Sequence, residues 1–170
     1  MAEKLSKWLI GVMGGISSLT LGKELIIFII SMLPILELRG GLIAASLMNM
    51  NPISSFIICV IGNIIPIPLI LWFIVPVLNK LKSFKRLTKW IDKLESKVLK
   101  KQSKIEKYEF WGLVLFIGVP LPGTGVWTGC LIAALIGMDK KSSTLAALLG
   151  VLIASVIMMF VSFGILGRIW

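Results

Sequence analysis

Glu37 and Arg39 are the only charged residues in the apolar stretch that runs from residue 25 to residue 48 of this 170-residue chain. A charge at the centre of a bilayer costs at least about 2.5 kcal/mol on insertion scales, so a pair kept there marks either function or a structural ion pair. Arginine brings a permanent forked donor that suits a phosphate or carboxylate. Glu37 suits a proton carrier, because burial favours its neutral form while a neighbouring arginine favours its charged form. The bland alternative is a mutual ion pair that closes a hairpin tip. Residues two apart on a helix point to different faces, so direct pairing requires a non-helical tip.

Two further features bear on the same chemistry. In Pro120-Leu121-Pro122-Gly123-Thr124-Gly125 the prolines lack an N–H and the glycines loosen the backbone, so a helix cannot continue through it. Thr124 is then placed to cap the helix that follows. Helix N-termini present unpaired N–H groups and the positive end of the peptide dipoles, and two of them meeting near mid-bilayer favour an anionic group. Asn63, within Gly62-Asn63-Ile64-Ile65-Pro66-Ile67-Pro68, is polar inside a span that the prolines should bend, freeing carbonyls beside the first hairpin. Its alternative role is a hydrogen bond between helices.

The elements that must position these residues follow from hydropathy. The chain is 57% hydrophobic and 15% charged, against about 25% charged for a soluble domain. Uncharged runs cover residues 40–79, 110–138 and 142–167, each longer than the ~18 apolar residues that mark a spanning candidate. The chain therefore reads as an all-α integral membrane protein forming a single membrane domain.

Only twelve uncharged residues separate Glu24 from Glu37, too few to cross the ~30 Å hydrocarbon core as helix. Residues 25–50 read as a re-entrant helical hairpin, and residues 110–138 as a second one. A broken helix crossing once is the rival for 110–138, but it would put Lys140 and Lys141 outside. Residues 8–22 read as a first span, 53–78 and 142–167 as full spans, and 79–109 as a linker. Gly40-Gly41-Leu42-Ile43-Ala44-Ala45 is similar to Gly129-Cys130-Leu131-Ile132-Ala133-Ala134, and Ser54-Ser55 to Ser142-Ser143. Two hairpins entering from opposite faces, each followed by a span, form an inverted repeat of the kind that builds a midplane transport site.

The linker holds eleven of the eighteen basic residues. With Lys4, Lys7, Lys140 and Lys141 this puts fifteen on one side, so the positive-inside rule makes the N-terminus and basic loop cytoplasmic. Phe84, Leu87, Ile91, Leu94, Val98 and Ile105 recur at helical spacing, so the loop is expected to be an amphipathic helix whose lysines meet anionic lipids, or else a dimer seam. Trp8, Trp72, Trp111 and Trp170 near span ends read as interfacial anchors. A basic chain raises nucleic acid as a partner, but topology explains the charge and none is expected.

The chain has no histidine, and Cys59 and Cys130 lie inside apolar runs. No triad, metal site or cofactor site is therefore expected, and the chain does not read as an enzyme. A thin bundle buries a polar tip more readily as a homodimer.

Glu37-Leu38-Arg39-Gly40 and Pro120-Leu121-Pro122-Gly123-Thr124-Gly125-Val126-Trp127-Thr128-Gly129 resemble the paired signatures of the prokaryotic small multidrug export protein family. The resemblance implies a transporter of the bacterial or archaeal inner membrane, with Glu37, Arg39, Pro120, Pro122, Gly123, Thr124 and Gly125 at its motif positions. More remotely, the opposed hairpins resemble the DedA group, which implies proton-coupled movement of an anionic lipid such as a polyprenyl phosphate. The acidic and arginine residues of that group's second hairpin are not present here. The expected activity is secondary transport of an amphipathic anion, with Asn63 completing the set of substrate- or ion-binding candidates. The alternatives are export of cationic or neutral amphiphiles and a non-transporting membrane scaffold.

Overall fold

The computed structural model describes residues 20–82, Ser96 and 109–165. Most of the first span (8–22), nearly all of the basic linker (79–109), and Trp8 and Trp170 lie outside the described residues. The described chain is helical, with no strand among these residues. Its helices are α1 (Thr20–Met32), α2 (Glu37–Leu47), α3 (Pro52–Ile64), α4 (Pro66–Lys82), α5 (Glu109–Gly118), α6 (Val126–Leu135) and α7 (Lys140–Met159), the last running into a π-helical turn, Phe160–Ile165. They fall into two compact units, one formed by residues up to 65 with those from 151 onward, the other by residues 66–150.

Two stretches are long and apolar enough to cross a membrane: Pro52–Ile74, of 23 residues, and Lys140–Gly164, of 25. The first is interrupted at Ile65, so the expected span over 53–78 is two helices, α3 and α4, joined by one residue. Pro66 and Pro68 have no N–H to give the carbonyls of Gly62 and Ile64, which is the local reason for the break. By contrast α1, α2, α5 and α6 have 13, 11, 10 and 10 residues. As helices these are roughly 15–20 Å long, short of the ~30 Å core.

In the first unit, α1 packs on α2 and α3, and α2 packs on α3. Residues 20–22, which hydropathy alone assigns to the first span, belong to α1. Near the start of α1, Lys23 Nζ donates to Met48 O at 3.3 Å, so the hairpin's two ends come together. The close approach of the three helices depends on glycine. A Cβ at Gly41 would collide with Ser31 Oγ and come within 2.8 Å of Cys59 Sγ, and one at Gly62 would lie 2.9 Å from Phe28 O. Ile26, Ile27, Ile30, Leu38 and Leu42 fill the resulting core. Ser46 Oγ donates to Ser162 O at 2.6 Å, tying the end of α2 to the π-helical turn.

In the second unit α6 packs on α4 and α5. Gly129 takes the role Gly41 has in the first, since a Cβ there would lie 2.6 Å from Ile117 Cγ1. Helix ends are built alike in both units. Asn49 (φ 50°) and Gly137 (φ 73°) turn the chain left-handed after α2 and α6. Met50 N then donates to Ala45 O, and Met138 N to Ala133 O, both at 3.0 Å. Asn51 Oδ1 accepts from Ile53 N and Ser54 N to cap α3, and Asp139 Oδ2 accepts from Ser142 N at the start of α7. Ser55 and Ser143, one turn on, are fully buried. These bonds pair Ala45 with Ala133, one residue away from the register in which Gly40 matches Gly129.

Candidate functional site

The first tip forms where α1 must stop. Pro34 has no N–H for the carbonyl of Ile30, which takes a bond from Leu33 N at 3.2 Å instead. Residues 33–36 make a tight turn closed by Glu37 N donating to Leu33 O at 2.9 Å. Glu37, the first residue of α2, carries φ 51°. For a residue with a side chain, that left-handed conformation costs roughly 1–2 kcal/mol. The strained residue is also an acid that is only 6% exposed, whereas Arg39 is half-buried. The two side chains feel each other's charge.

Leu36, the N-cap residue of α2, makes no side-chain capping bond. No N-cap side chain therefore closes the helix start at which Glu37 and Arg39 sit. Asn63, on α3 in the same unit, is 2% exposed, and its Oδ1 has no hydrogen-bond partner among the described residues. The expected inter-helix bond is therefore not made by that oxygen. A buried acceptor left unpaired usually costs about 1–3 kcal/mol, which sets Asn63 apart from an ordinary packing amide.

The second tip, in the other unit, is a built loop. Val119 N donates to Leu115 O at 3.0 Å as α5 ends, and Leu121 N bonds Val119 O at 2.8 Å around Pro120. A turn across residues 121–124 follows, with Thr124 N on Leu121 O at 3.2 Å. Pro122 presets its first corner and Gly123 (φ 77°) supplies the positive φ that the second requires. Gly125 has φ 136°, a conformation closed to residues with a Cβ.

Here the sequence expectation for Thr124 is corrected. The N-cap residue of α6 is Gly125, and no side chain caps the helix. The Thr124 hydroxyl turns back into the loop, shared between Val119 O at 2.9 Å and Leu121 O at 2.8 Å, and it accepts from Leu121 N at 3.2 Å. The physical reason lies in the extended glycine. Gly125 separates Thr124 from the helix start, while the turn around Pro120 and Pro122 presents two nearby carbonyls.

Within their units, the candidates thus divide by role. Glu37, Arg39 and Asn63 supply charge and an unsatisfied acceptor. Pro120, Pro122, Gly123, Thr124 and Gly125 shape the loop ahead of α6. The two tips are built on one plan, with Pro34 matching Pro122, Glu37 matching Gly125 as the residue of positive φ, and Gly41 matching Gly129. In that register Trp127 is the counterpart of Arg39, a correspondence that the apolar alignment from Gly40 hides. Lys23 and the unpartnered Ser162 Oγ were not among the sequence candidates, and each looks unremarkable in its local sequence.

Two apolar stretches long enough to cross a membrane, short helical hairpins and a charged pair at an apolar tip are the features of an α-helical membrane protein. The model of the family described as "Putative small multi-drug export protein" matches residues 37–157, starting at Glu37 itself, and the chain belongs to this family. No curated protein and no solved structure matches the chain.

Proposed function

We propose that this protein is a secondary transporter of an amphipathic anion, such as a polyprenyl phosphate, with Arg39 holding the headgroup and Glu37 carrying the coupled proton. The observation that carries this reading is the strained, 6%-exposed Glu37 interacting with Arg39 at the uncapped start of α2. Strain and buried charge both cost stability, and they persist where surrounding structure enforces them for function. The positive helix end and the guanidinium both favour a negative headgroup. The Pro120–Gly125 loop is the second hairpin's contribution to the transport pathway.

In this reading the two hairpins are re-entrant, enter from opposite faces and form an inverted repeat. Support comes from the half-length helices, the Lys23–Met48 bond that returns the first hairpin to its starting end, and the matching caps of the two units. The N-terminus and the basic segment are cytoplasmic in a prokaryotic inner membrane, the lysines of residues 79–109 meet anionic lipids, and the protein is a homodimer. The orientation and the lipid contacts rest on the charge pattern and the membrane on the family, while the dimer rests on the need of a thin bundle to bury its polar tip.

The family's description favours a second reading, export of cationic or neutral amphiphiles with Glu37 as the cation site. Proteoliposomes separate the two. The anionic reading predicts protein-dependent translocation of a polyprenyl phosphate and none of a cationic dye such as ethidium. Dye movement that stops in Glu37→Gln, with no movement of the lipid phosphate, would replace the first reading by the second.

A further inference from the structure

At the start of α7 the second unit has a cavity of about 670 Å³. Among the described residues it is lined by Trp72 from α4, with Asp139, Lys140, Lys141, Thr144 and Leu145. We infer that this cavity is a binding site for an anionic phospholipid, with Lys140 and Lys141 on its phosphate and Trp72 and Leu145 against the upper part of its acyl chains.

The polar lining divides unequally. Asp139 Oδ2 accepts from Ser142 N at 2.9 Å and so serves the helix start. The Thr144 hydroxyl is turned onto Lys140 O at 2.7 Å. Among the lining residues this leaves the two exposed ammonium groups to face a ligand, reinforced by the positive end of a 20-residue helix. Two lysines and a helix N-terminus against one carboxylate give a positive mouth. The walls below are apolar: Trp72 and Leu145 are 48% and 58% exposed, and Leu149 continues the same face of α7 one turn on.

A cavity that combines two cationic donors with exposed apolar side chains fits a lipid better than a soluble anion. It also fits a lipid better than the chain's own residues 83–107, which carry nine of the eighteen basic side chains and would be repelled by Lys140 and Lys141. Tryptophan beside lysine is the usual pairing at headgroup level. The site is independent of the transport reading, since its lipid is held at the rim and is not the cargo of Arg39.

The test uses the full-length protein in phosphatidylcholine vesicles doped with phosphatidylglycerol or phosphatidylcholine carrying brominated chains, read as quenching of Trp72. The Trp72 signal is the difference between wild type and Trp72→Phe. Brominated phosphatidylglycerol should quench it at a lower mole fraction than brominated phosphatidylcholine. In Lys140→Gln/Lys141→Gln that preference should fall by roughly thirtyfold, at about a kilocalorie per surface lysine. The Lys140→Arg/Lys141→Arg variant, which keeps both charges, should retain it, and so should Arg39→Gln. Equal quenching by the two lipids, or a preference that survives the glutamine variant, would overturn the site.

Discussion

Lys23 Nζ meets Met48 O at 3.3 Å, joining the first turn of α1 to the C-cap of α2 across the whole length of a helical hairpin. The lysine neutralises the negative end of α2 and satisfies one of its last carbonyls. The opposite end of that hairpin is where Glu37 and Arg39 sit. One bond thus relates a charged tip to the polar end from which its chain departs and to which it returns.

Glu37 separates function from stability in a single substitution. In Glu37→Gly the left-handed φ of 51° is no longer strained, so the detergent-solubilised protein should gain up to about 1 kcal/mol and unfold at a higher temperature. Transport should nevertheless be lost with the carboxyl group. A lower unfolding temperature would instead show that the carboxylate's interactions hold the tip together.

The helix contacts at Gly41 predict a steep dependence on position. Gly41→Ala must displace Ser31, Cys59 or the α1 backbone, and should destabilise by about 1–3 kcal/mol. Gly164→Ala, where a Cβ meets nothing within 4 Å, should leave thermal unfolding unchanged. Similar losses at both positions would contradict the tight packing of α1, α2 and α3.

Thr124 is assigned to the loop, and that assignment is testable against a role in binding. Thr124→Val removes the hydroxyl from Val119 O and Leu121 O and should cost roughly 1 kcal/mol, while Thr124→Ser should restore it. Thermal unfolding measures the loss. Unchanged stability together with lost transport would return Thr124 to the ligand set.

The capping residues at the starts of α3 and α7 should be interchangeable. Asn51→Ala and Asp139→Ala should each cost about 1 kcal/mol, whereas Asn51→Asp and Asp139→Asn should stay within a few tenths. Thermal unfolding of the four variants gives the comparison. A large loss in either exchange would mean that the two caps do different work.

Much of this was legible in the residues because proline and glycine act locally. Pro34 and the Pro120–Gly125 run mark the ends of helices without any knowledge of packing, and the short apolar stretches between them bound the helix lengths. What escaped depends on contacts distant in sequence or on backbone geometry. The left-handed φ of Glu37 has no local signature in a non-glycine residue. The Thr124 hydroxyl had a helix start and two carbonyls within reach, and only the extended Gly125 decides between them. The similarity of Gly40 onward to Gly129 onward is dominated by Leu, Ile and Ala, which slide by one residue at little cost. The hydrogen bonds of Met50 and Met138 fix the other register. The cavity between Trp72 and Lys140 joins residues from separate helices, and hydropathy alone does not bring them together.

The central claim is that Arg39 receives an anionic headgroup. Its most direct test is the rate at which a polyprenyl phosphate crosses proteoliposomes containing wild type, Arg39→Gln or no protein, with folding checked by thermal unfolding. The account predicts a protein-dependent rate that falls to the protein-free level in Arg39→Gln. A folded wild type no faster than empty vesicles, or an Arg39→Gln variant as fast as wild type, would contradict it.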